Sequence, residues 1–332
     1  MKIAIIGSYG HVGQVLNATA AKPDAELVAV ARWGEDDPLN FLGHHPACGS
    51  DVPVYDHYRQ MLDDARPDVV GVFVPLYRTA EVARSAVQRG CHVACEKPLA
   101  TELADLAAFR ADVQNAGVHA TAMFTMRQKP AFQALRHAIA AGRIGRPVLA
   151  TAQKSYIFGR RDDYYRRRET FGGSIPWVAI HALDFVTWCT GLHYARGAAL
   201  AGNAAHDEYP GCEDHGAILM GFAEGGEATI TFDYLRPAGG EQLQRRHGDD
   251  RLRVAGTEGV IEVVEEGTRA KLMTAGRFED LTGPTERSVF VSLLTAIEGG
   301  EPCLVPTEDA FAMTEIALKL RDAAGSGNFI DL

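Results

Sequence analysis

The chain has 332 residues and a formal net charge of −10. Single hydrophobic cores stop growing at about 250 to 300 residues, so this length predicts two domains. A general nucleic-acid binder would carry a basic domain, so the net negative charge favours small molecules as partners over nucleic acid. The six cysteines include no Cys-x-x-Cys pair. The sequence therefore predicts neither a metal site nor a disulfide framework.

The chain leads from Met1 and Lys2 directly into an apolar strand pattern. A secretion signal would show a charged segment, an apolar stretch and a cleavage site here. No apolar run reaches the length of a membrane span. We therefore expect a cytoplasmic protein without a membrane partner.

The N-terminal part alternates short apolar runs with helical periodicity, which is the pattern of βαβ units. The predicted strands are residues 2–6, 26–31, 68–74 and 91–94. The predicted helices include residues 58–65, 79–89 and 103–116. Right-handed crossovers would give a doubly wound Rossmann sheet that binds its ligand at the carboxyl ends of the strands.

From residue 147 onward the apolar pattern alternates over longer segments, which indicates one mostly antiparallel sheet. The predicted strands are residues 148–154, 215–222, 227–234, 251–255 and 260–264, and helices at 175–189, 286–298 and 307–324 would cover one face. An alanine-rich helix at 131–141 would bridge the domains. The predicted class is α/β, with an N-terminal Rossmann domain over residues 1–122 and a C-terminal α+β domain over 123–332.

A glycine turn follows the first predicted strand and opens into a helical pattern. The turn consists of Gly7, Ser8, Tyr9, Gly10, His11, Val12 and Gly13. Glycine lets the backbone approach a pyrophosphate closely, and the N-terminus of the helix presents N–H groups and a positive dipole end. This is the context that a dinucleotide requires, although a purely structural turn would use Gly7 and Gly10 similarly.

The second predicted strand leads into Arg32, where NAD enzymes usually present an acid to the ribose 2′-hydroxyl. An arginine there can instead bind the 2′-phosphate of NADP. The nearby acids Glu35 and Asp36 weaken this inference, so NADP is favoured and NAD stays open. The loop after the strand at 68–74 begins at Pro75, another candidate cofactor contact.

Glu96, Lys97 and Pro98 follow the strand predicted at 91–94. Oxidation of a secondary alcohol needs a hydride acceptor and a group that removes the hydroxyl proton. A partly desolvated lysine beside a positively charged nicotinamide is expected to accept that proton near neutral pH. Lys97 is therefore the leading candidate for a general base, and Glu96 a candidate contact to the cofactor.

These motifs, in this order, resemble the Gfo/Idh/MocA family of nicotinamide-dependent oxidoreductases. The resemblance covers nearly the whole chain. Besides the glycine turn, the matching pieces are residues 95–100, Arg127, Pro130, residues 142–147, Gly172, Gly173, His181, Asp184, Glu213, Asp214 and residues 256–259. It implies that Lys97 touches cofactor and substrate, that His181 touches the reacting hydroxyl, and that the bond before Pro98 is often cis. It also implies a homo-oligomer, a dimer or tetramer.

The chain departs from the family at Trp177, where relatives commonly have an aspartate four residues before the histidine. Three interpretations follow: Lys97 is the only base, His181 acts with it, or redox chemistry is weakened or lost. We favour Lys97 with His181. Pro176 suits the first turn of a helix, so Trp177 would project beside His181 and either stack on a sugar ring or pack structurally.

The C-terminal domain supplies further candidate substrate contacts. Asp184 would orient the His181 imidazole or form an i,i+3 pair on a solvated helix. The charged run at 160–168 is either a solvated face or a holder for a carboxylate or phosphate of the substrate. The individual candidates for the pocket are Arg127, Tyr156, Arg168, Trp177, Asp184 and Tyr234.

The sequence therefore predicts an NAD(P)-dependent oxidoreductase. It would transfer hydride to or from a secondary hydroxyl of a carbohydrate-like substrate, a sugar, cyclitol or related polyol, with acidic derivatives included. The cofactor performs the hydride step and the protein manages the proton. Two alternatives stay open: an enzyme that cleaves or eliminates glycosides with a recycled cofactor, and a catalytically impaired nucleotide sensor.

Overall fold

The computed structural model describes residues 1–49, 51–237, 248–265, 267–284 and 287–332. The chain forms two compact units. The first contains Met1–Met123 with Arg287–Thr314, and the second contains Phe124–Glu286 with Glu315–Leu332. The return of residues 287–314 to the first unit is absent from the sequence prediction, because a helical pattern does not show which core its apolar face joins.

The first unit is built on a six-stranded parallel sheet. Its strands are β1 (Lys2–Ile6), β2 (Glu26–Ala31), β3 (Val54–Tyr55), β4 (Val69–Val72), β5 (His92–Cys95) and β6 (Ala120–Ala122). They lie in the order β3-β2-β1-β4-β5-β6, and all neighbours are parallel. The strand order reverses at β1, so the carboxyl ends of β1 and β4 flank the switch point at which open α/β sheets bind ligands.

Most of the helices follow the predicted periodicity, and the short helix at Arg168–Phe171 was not predicted. The helices are α1 (Val12–Ala21), α2 (Tyr58–Ala65), α3 (Thr79–Val87), α4 (Leu103–Ala116), α5 (Pro130–Ala140), α6 (Arg168–Phe171), α7 (Ile180–Thr190), α8 (Val289–Ile297) and α9 (Thr307–Ala323). In the first unit, α4 and α9 meet through Phe109 and Phe311, whose ring centroids lie 5.2 Å apart. Gly117 ends α4 in the left-handed conformation, as its position predicts.

The second unit is built on a nine-stranded sheet. Its strands are β7 (Pro147–Ile157), β8 (Tyr194–Gly202), β9 (His215–Phe222), β10 (Glu227–Arg236), β11 (Gly248–Gly256), β12 (Gly259–Val264), β13 (Arg269–Thr274), β14 (Arg277–Leu281) and β15 (Ile330–Asp331). Their order is β14-β13-β12-β11-β7-β10-β9-β8-β15. Only β7 and β10 pair in parallel among these neighbours in the described ranges. The predicted fold class is confirmed.

The two faces of this second sheet differ. Along β10, Ala228, Ile230, Phe232 and Tyr234 are buried on one face. The helices α5 and α7 pack on the sheet, and they meet each other where Phe132 and Phe185 approach to 4.8 Å between ring centroids. The other face exposes leucine side chains, namely Leu200, Leu219 and Leu235.

The unpredicted strands are β3, β6, β8, β13, β14 and β15. β3 and β15 have two residues each and carry too short a pattern to detect. β8 consists largely of alanine and glycine, which have low strand propensity. Within the described part of the chain, no helix has both the length and the apolar character needed to cross a membrane.

Candidate functional site

The glycine turn packs tightly against the carboxyl ends of neighbouring strands. Gly7 and Gly10 both have positive φ, +84° and +59°. A Cβ at Gly7 would lie 2.1 Å from the Phe73 carbonyl oxygen, and one at Gly10 would lie 2.1 Å from Glu96 Oε1. Only glycine fits at either position without a shift of its neighbours. The turn therefore presents bare backbone at the switch point.

Glu96 fastens this turn to the end of β5. Its Oε1 accepts the backbone N–H of His11 at 2.6 Å and lies 2.5 Å from His11 Nδ1, while Oε2 accepts the backbone N–H of Lys97 at 2.9 Å. The Glu96 side chain is buried. Burial raises the pKa of this carboxyl, but the His11 charge and hydrogen bonds, together with Lys97, outweigh it and hold the pKa below its ordinary value. Glu96 is thus an ionised anchor between the turn and Lys97.

Lys97 is itself buried, with a relative exposure of 1%. The Lys97–Pro98 peptide bond is cis. The next residue is also held in place, since the backbone N–H of Leu99 donates to Thr314 Oγ1 at 3.3 Å. Lys97 therefore lies in a fixed segment at the carboxyl end of β5, in the same unit as the glycine turn.

An arginine-lined cavity lies beyond the end of β2. Its lining includes Arg32, Trp33, Arg59 and Arg78 together with the acids Glu35 and Asp56. Arg32 Nε lies 3.5 Å from Asp56 Oδ1. Glu81 Oε1 lies 3.0 Å from Arg59 Nη2 and 3.1 Å from Arg78 Nη2, so two carboxylates partly balance the three guanidinium groups. Pro75 caps the short 3₁₀ turn Leu76–Arg78 that brings Arg78 to this cavity.

Asp37, in the acidic segment after β2, also reaches the glycine turn, and sequence analysis did not select it. Its buried carboxylate accepts the Ser8 hydroxyl at 2.6 Å and the backbone N–H of Trp33 at 3.2 Å. Its carbonyl oxygen accepts a hydrogen bond from the Arg32 guanidinium. The neighbouring acids Glu35 and Asp36 gave the same sequence signal, so the pattern alone could not identify Asp37.

These residues fit a dinucleotide. Among the described residues, the His11 side chain makes no cap hydrogen bond at the N-terminus of α1, and the bare glycine backbone adjoins that end. Glu96 already accepts the backbone N–H of His11, so the N–H groups that follow His11 are the candidates for an anion. The arginine-lined cavity at the end of β2 is where the adenosine ribose lies in this class of sheet. The first unit thus combines a cradle for pyrophosphate with cationic groups near the ribose position.

His181 lies in α7 of the second unit and is buried, with its ring edge-on to Phe124 at 6.4 Å between centroids. The turn before it, Ile175–Ala179, is π-helical, and the N–H of Ile180 donates to the carbonyl of Ile175. The predicted regular helix from Pro176 is therefore wrong in its first turn. A π-helical turn changes the angle between Trp177 and His181, and such turns are frequent at functional sites.

Arg127 and Asp184 form a buried ion pair. Arg127 Nη2 lies 2.6 Å from Asp184 Oδ1, and Arg127 Nε lies 3.1 Å from Oδ2. Both side chains are at most 3% exposed. The interpretation of Asp184 as part of a solvated helix pair is therefore wrong, because burial leaves it inside the unit. Its proposed role in orienting His181 stays a prediction.

A second buried cluster was missed by sequence analysis. Lys154 Nζ pairs with Asp250 Oδ1, and Lys129 Nζ lies 2.9 Å from Asp250 Oδ2. Burial raises the pKa of Asp250, but the two ammonium groups outweigh it and hold the pKa below its ordinary value. The Lys154 ammonium also lies 4.6 Å from the centroid of the Tyr156 ring. The sequence did carry a signal for the burial of Lys154. Residues alternate between the two faces of β7, and Lys154 falls on the same buried face as Ala150 and Ala152.

The arginines of the charged run have different partners. Arg166 pairs with Asp163 at 3.1 Å, as a solvated face would. Arg168 instead pairs with Glu213 Oε1, while Glu213 Oε2 accepts the backbone N–H of Ser174 at 3.0 Å. Arg168 therefore holds the segment ahead of the π-helical turn, and its contact with substrate stays a prediction. In the described ranges, no three His, Cys, Asp or Glu side chains gather as a metal site would require.

Comparisons with known proteins agree with this arrangement. Residues 1–124 match a family model described as an oxidoreductase family with an NAD-binding Rossmann fold, and residues 132–262 match the GFO/IDH/MocA C-terminal domain. A solved structure from Thermotoga maritima, assigned provisionally as an oxidoreductase, is 30% identical, covers 100% of both chains and has a TM-score of 0.93.

Two curated relatives have named reactions. Inositol 2-dehydrogenase of Rhizobium meliloti is 26% identical over 98% of this chain and 96% of its own length. The 1,5-anhydro-D-fructose reductase of Ensifer adhaerens is 33% identical over 42% of this chain. This chain spans about half the length of some curated relatives, 43% of that reductase and 57% of an uncharacterized Bacillus subtilis oxidoreductase.

Proposed function

The chain belongs to the Gfo/Idh/MocA family of oxidoreductases, and on that premise we propose that it transfers hydride between a nicotinamide cofactor and a secondary hydroxyl of a sugar, cyclitol or related polyol. The observation that carries the proposal is the buried Glu96 carboxylate, which joins the glycine turn to the segment of Lys97. That contact couples the nucleotide cradle to a buried amine.

The two parts of the chain have separate roles in this proposal. Residues 1–122 bind the dinucleotide, and residues 123–332 bind the substrate and form a homo-oligomer. The bare glycine backbone supports the first role. The exposed leucines on the open face of the second sheet support an oligomeric contact, because exposed apolar groups on one face favour association.

We propose NADP as the preferred cofactor. Arg32, Arg59 and Arg78 line one cavity beyond β2, and guanidinium groups bind phosphate through paired, charge-assisted hydrogen bonds. The buried carboxylate of Asp37 accepts hydrogen bonds from the Ser8 hydroxyl and the backbone N–H of Trp33. These protein contacts already occupy the carboxylate, so we do not assign it to the ribose 2′-hydroxyl.

Lys97 Nζ acts as the base that removes the hydroxyl proton during oxidation, and it returns a proton during reduction. His181 contacts the reacting hydroxyl and assists. The nicotinamide, when bound, accepts or supplies the hydride. Burial of Lys97 supports its role, because desolvation disfavours the charged ammonium and so favours the neutral amine, which is the form that can accept a proton.

The substrate class rests on the relatives. Two of them are named for inositol and an anhydrofructose, which are hydroxyl-bearing rings. Trp177, half-buried in the π-helical turn before His181, offers a flat apolar face for such a ring. We further propose an acidic substituent on the substrate.

Thermal unfolding with added NADPH or NADH tests the nucleotide part first, since a ligand of the native state raises apparent stability with its concentration. A polyol panel then tests turnover with the cofactor that binds. Lys97→Met should lower kcat about 10²- to 10⁴-fold and leave nucleotide binding within a few-fold. Lys22→Met, which removes a surface partner of Glu298, is the control.

The outcomes separate the alternatives. A nucleotide sensor would keep its response in Lys97→Met and show no turnover in either protein. Glycoside cleavage that needs the cofactor only in catalytic amounts, and not one equivalent per turnover, would indicate the redox-neutral alternative. Absence of a stability shift with both nucleotides, after tightly retained cofactor is excluded, would refute the proposal.

A further inference from the structure

Arg161 lies among aromatic rings in the second unit. Its guanidinium carbon is 4.7 Å from the centroid of Tyr234, 5.3 Å from that of Tyr165 and 5.5 Å from that of Phe158. Its Nη2 donates to the carbonyl of Ile157 at 3.3 Å. The faces of these rings attract a cation, but they provide no formal negative charge.

No carboxylate balances Arg161 within the described ranges of the chain. The other buried or half-buried arginines among the described residues of the second unit each have an acidic partner within 4.0 Å; they are Arg127, Arg143, Arg236 and Arg321. Arg161 Nε is buried and has no hydrogen-bond acceptor among the described residues. Burial raises the pKa of Tyr165 to about 12, so that ring is neutral and cannot supply the missing charge.

The hydroxyl of Tyr234 is a second buried donor in this stack. Tyr234 is 1% exposed, and its hydroxyl has no hydrogen-bond partner in the described part of the structure. A buried hydroxyl is normally satisfied, because leaving it without a partner costs free energy. Two buried donors, the Arg161 Nε–H and the Tyr234 O–H, thus belong to one stack, and neither has an acceptor among the described residues.

The surroundings connect this stack to the candidate substrate residues. Tyr234 lies in β10, which packs against the π-helical turn Ile175–Ala179. That turn contains Trp177 and leads into α7 and His181. Arg161 is fixed from the other side, because its carbonyl oxygen accepts the Tyr209 hydroxyl at 2.8 Å.

We propose that Arg161 and Tyr234 bind an anionic group of the substrate, a carboxylate or a phosphate, so that the substrate is an acidic sugar or cyclitol. This inference rests on the proposed function and names the substrate class of the same site. Nε–H of Arg161 and O–H of Tyr234 donate hydrogen bonds to the anion, which supplies the negative charge that the described residues do not place beside Arg161. Arg168, by contrast, already has Glu213 as its partner.

Matched ligands test the proposal. We would measure the affinity of the nucleotide-loaded protein for D-glucuronate against D-glucose, D-galacturonate against D-galactose, and D-glucose 6-phosphate, by ligand-observed NMR. The acidic member should bind at least about tenfold more tightly, since hydrogen bonds to charged groups are strong. Comparison of the affinities for the uronates with the affinity for D-glucose 6-phosphate decides whether a carboxylate or a phosphate is recognised.

Three variants assign the preference to these residues. Arg161→Met should abolish the preference for the anion, while Tyr234→Phe should weaken that preference several-fold. Arg160→Met removes the same charge from the adjacent exposed residue and should change nothing. Arg161→Lys keeps the charge without the planar fork, and it should retain part of the preference if Arg161→Met does not fold.

Equal affinity for both members of every pair, or no binding by either, would overturn the inference. So would a preference that survives in folded Arg161→Met. Oxidation of neutral polyols without any preference for anions would remove this inference and leave the proposed function intact. Anion binding that depends on Arg161, in a protein that transfers no hydride, would support this inference and count against the proposed function.

Discussion

Glu96 Oε1 accepts the backbone N–H of His11 at 2.6 Å, which joins the end of β5 to the glycine turn. The same side chain accepts the N–H of Lys97 through its other oxygen. One buried carboxylate thus joins the glycine turn to the chain segment that carries the candidate base Lys97. Its removal should affect stability and nucleotide affinity together.

Glu96→Gln should reduce the free energy of unfolding at neutral pH by about 1–3 kcal/mol, since hydrogen bonds to a charged acceptor are lost. The folded-state pKa of Glu96 is depressed, so its contribution is present above the unfolded pKa of about 4.3 and is lost as pH falls through the folded value. Chemical denaturation of both proteins across pH should show the gap closing in acid. A gap that stays constant across this range would contradict the assignment. Glu298→Gln, a surface change, is the control.

Asp184→Asn should destabilise the protein by about 3–5 kcal/mol, because it leaves the Arg127 charge buried without its counter-ion. Asp163→Asn breaks the exposed pair with Arg166 and should cost less than about 1 kcal/mol. The double variant Arg127→Met with Asp184→Leu should recover much of the loss. Denaturant unfolding measures all of these, and a small effect of Asp184→Asn would show that the pair is not a structural unit.

Arg32→Ala should weaken NADPH binding about tenfold or more and leave NADH binding within a few-fold, because only NADPH carries the 2′-phosphate. The ratio of the two dissociation constants is the measurement. Arg66→Ala removes a charge from a separate groove of the same unit and is the matched control. Equal loss for both nucleotides would assign Arg32 a structural role instead.

Tyr234→Phe should leave the unliganded protein as stable as before or more stable by about 1 kcal/mol, since it deletes a buried hydroxyl without a partner in the described ranges. Tyr209→Phe deletes a hydroxyl that donates to Arg161 at 2.8 Å, so it should cost about 1 kcal/mol. Thermal unfolding without ligand compares them. A loss in Tyr234→Phe as large as that in Tyr209→Phe would mean that the Tyr234 hydroxyl is satisfied in solution.

Local patterns predicted much of the fold. The helices at Tyr58–Ala65 and Leu103–Ala116 have the bounds that their periodicity and following residues indicate. The glycine turn, the strand before Glu96 and the main strands of the second sheet were also recognised. These features depend on residues close together in the chain, and so the sequence shows them directly.

Charged partners distant in the chain could not be predicted. Arg127 meets Asp184, Glu96 meets His11, and Lys154 meets Asp250. Each pair joins elements whose register is set by packing of apolar faces, and many acids in the sequence would have served equally well as partners. The choice of Asp37 over its acidic neighbours was decided in the same way.

The sequence by itself determined most of the secondary structure, the position of the nucleotide-binding turn and the family, because these follow from periodicity, glycine conformation and ordered motifs. Only the tertiary structure decided which charges are neutralised. It shows that Arg168 has an acidic partner and that Arg161, seven residues earlier, has none among the described residues. The physical reason is that desolvation and ion pairing depend on neighbours in space, which sequence spacing does not reveal.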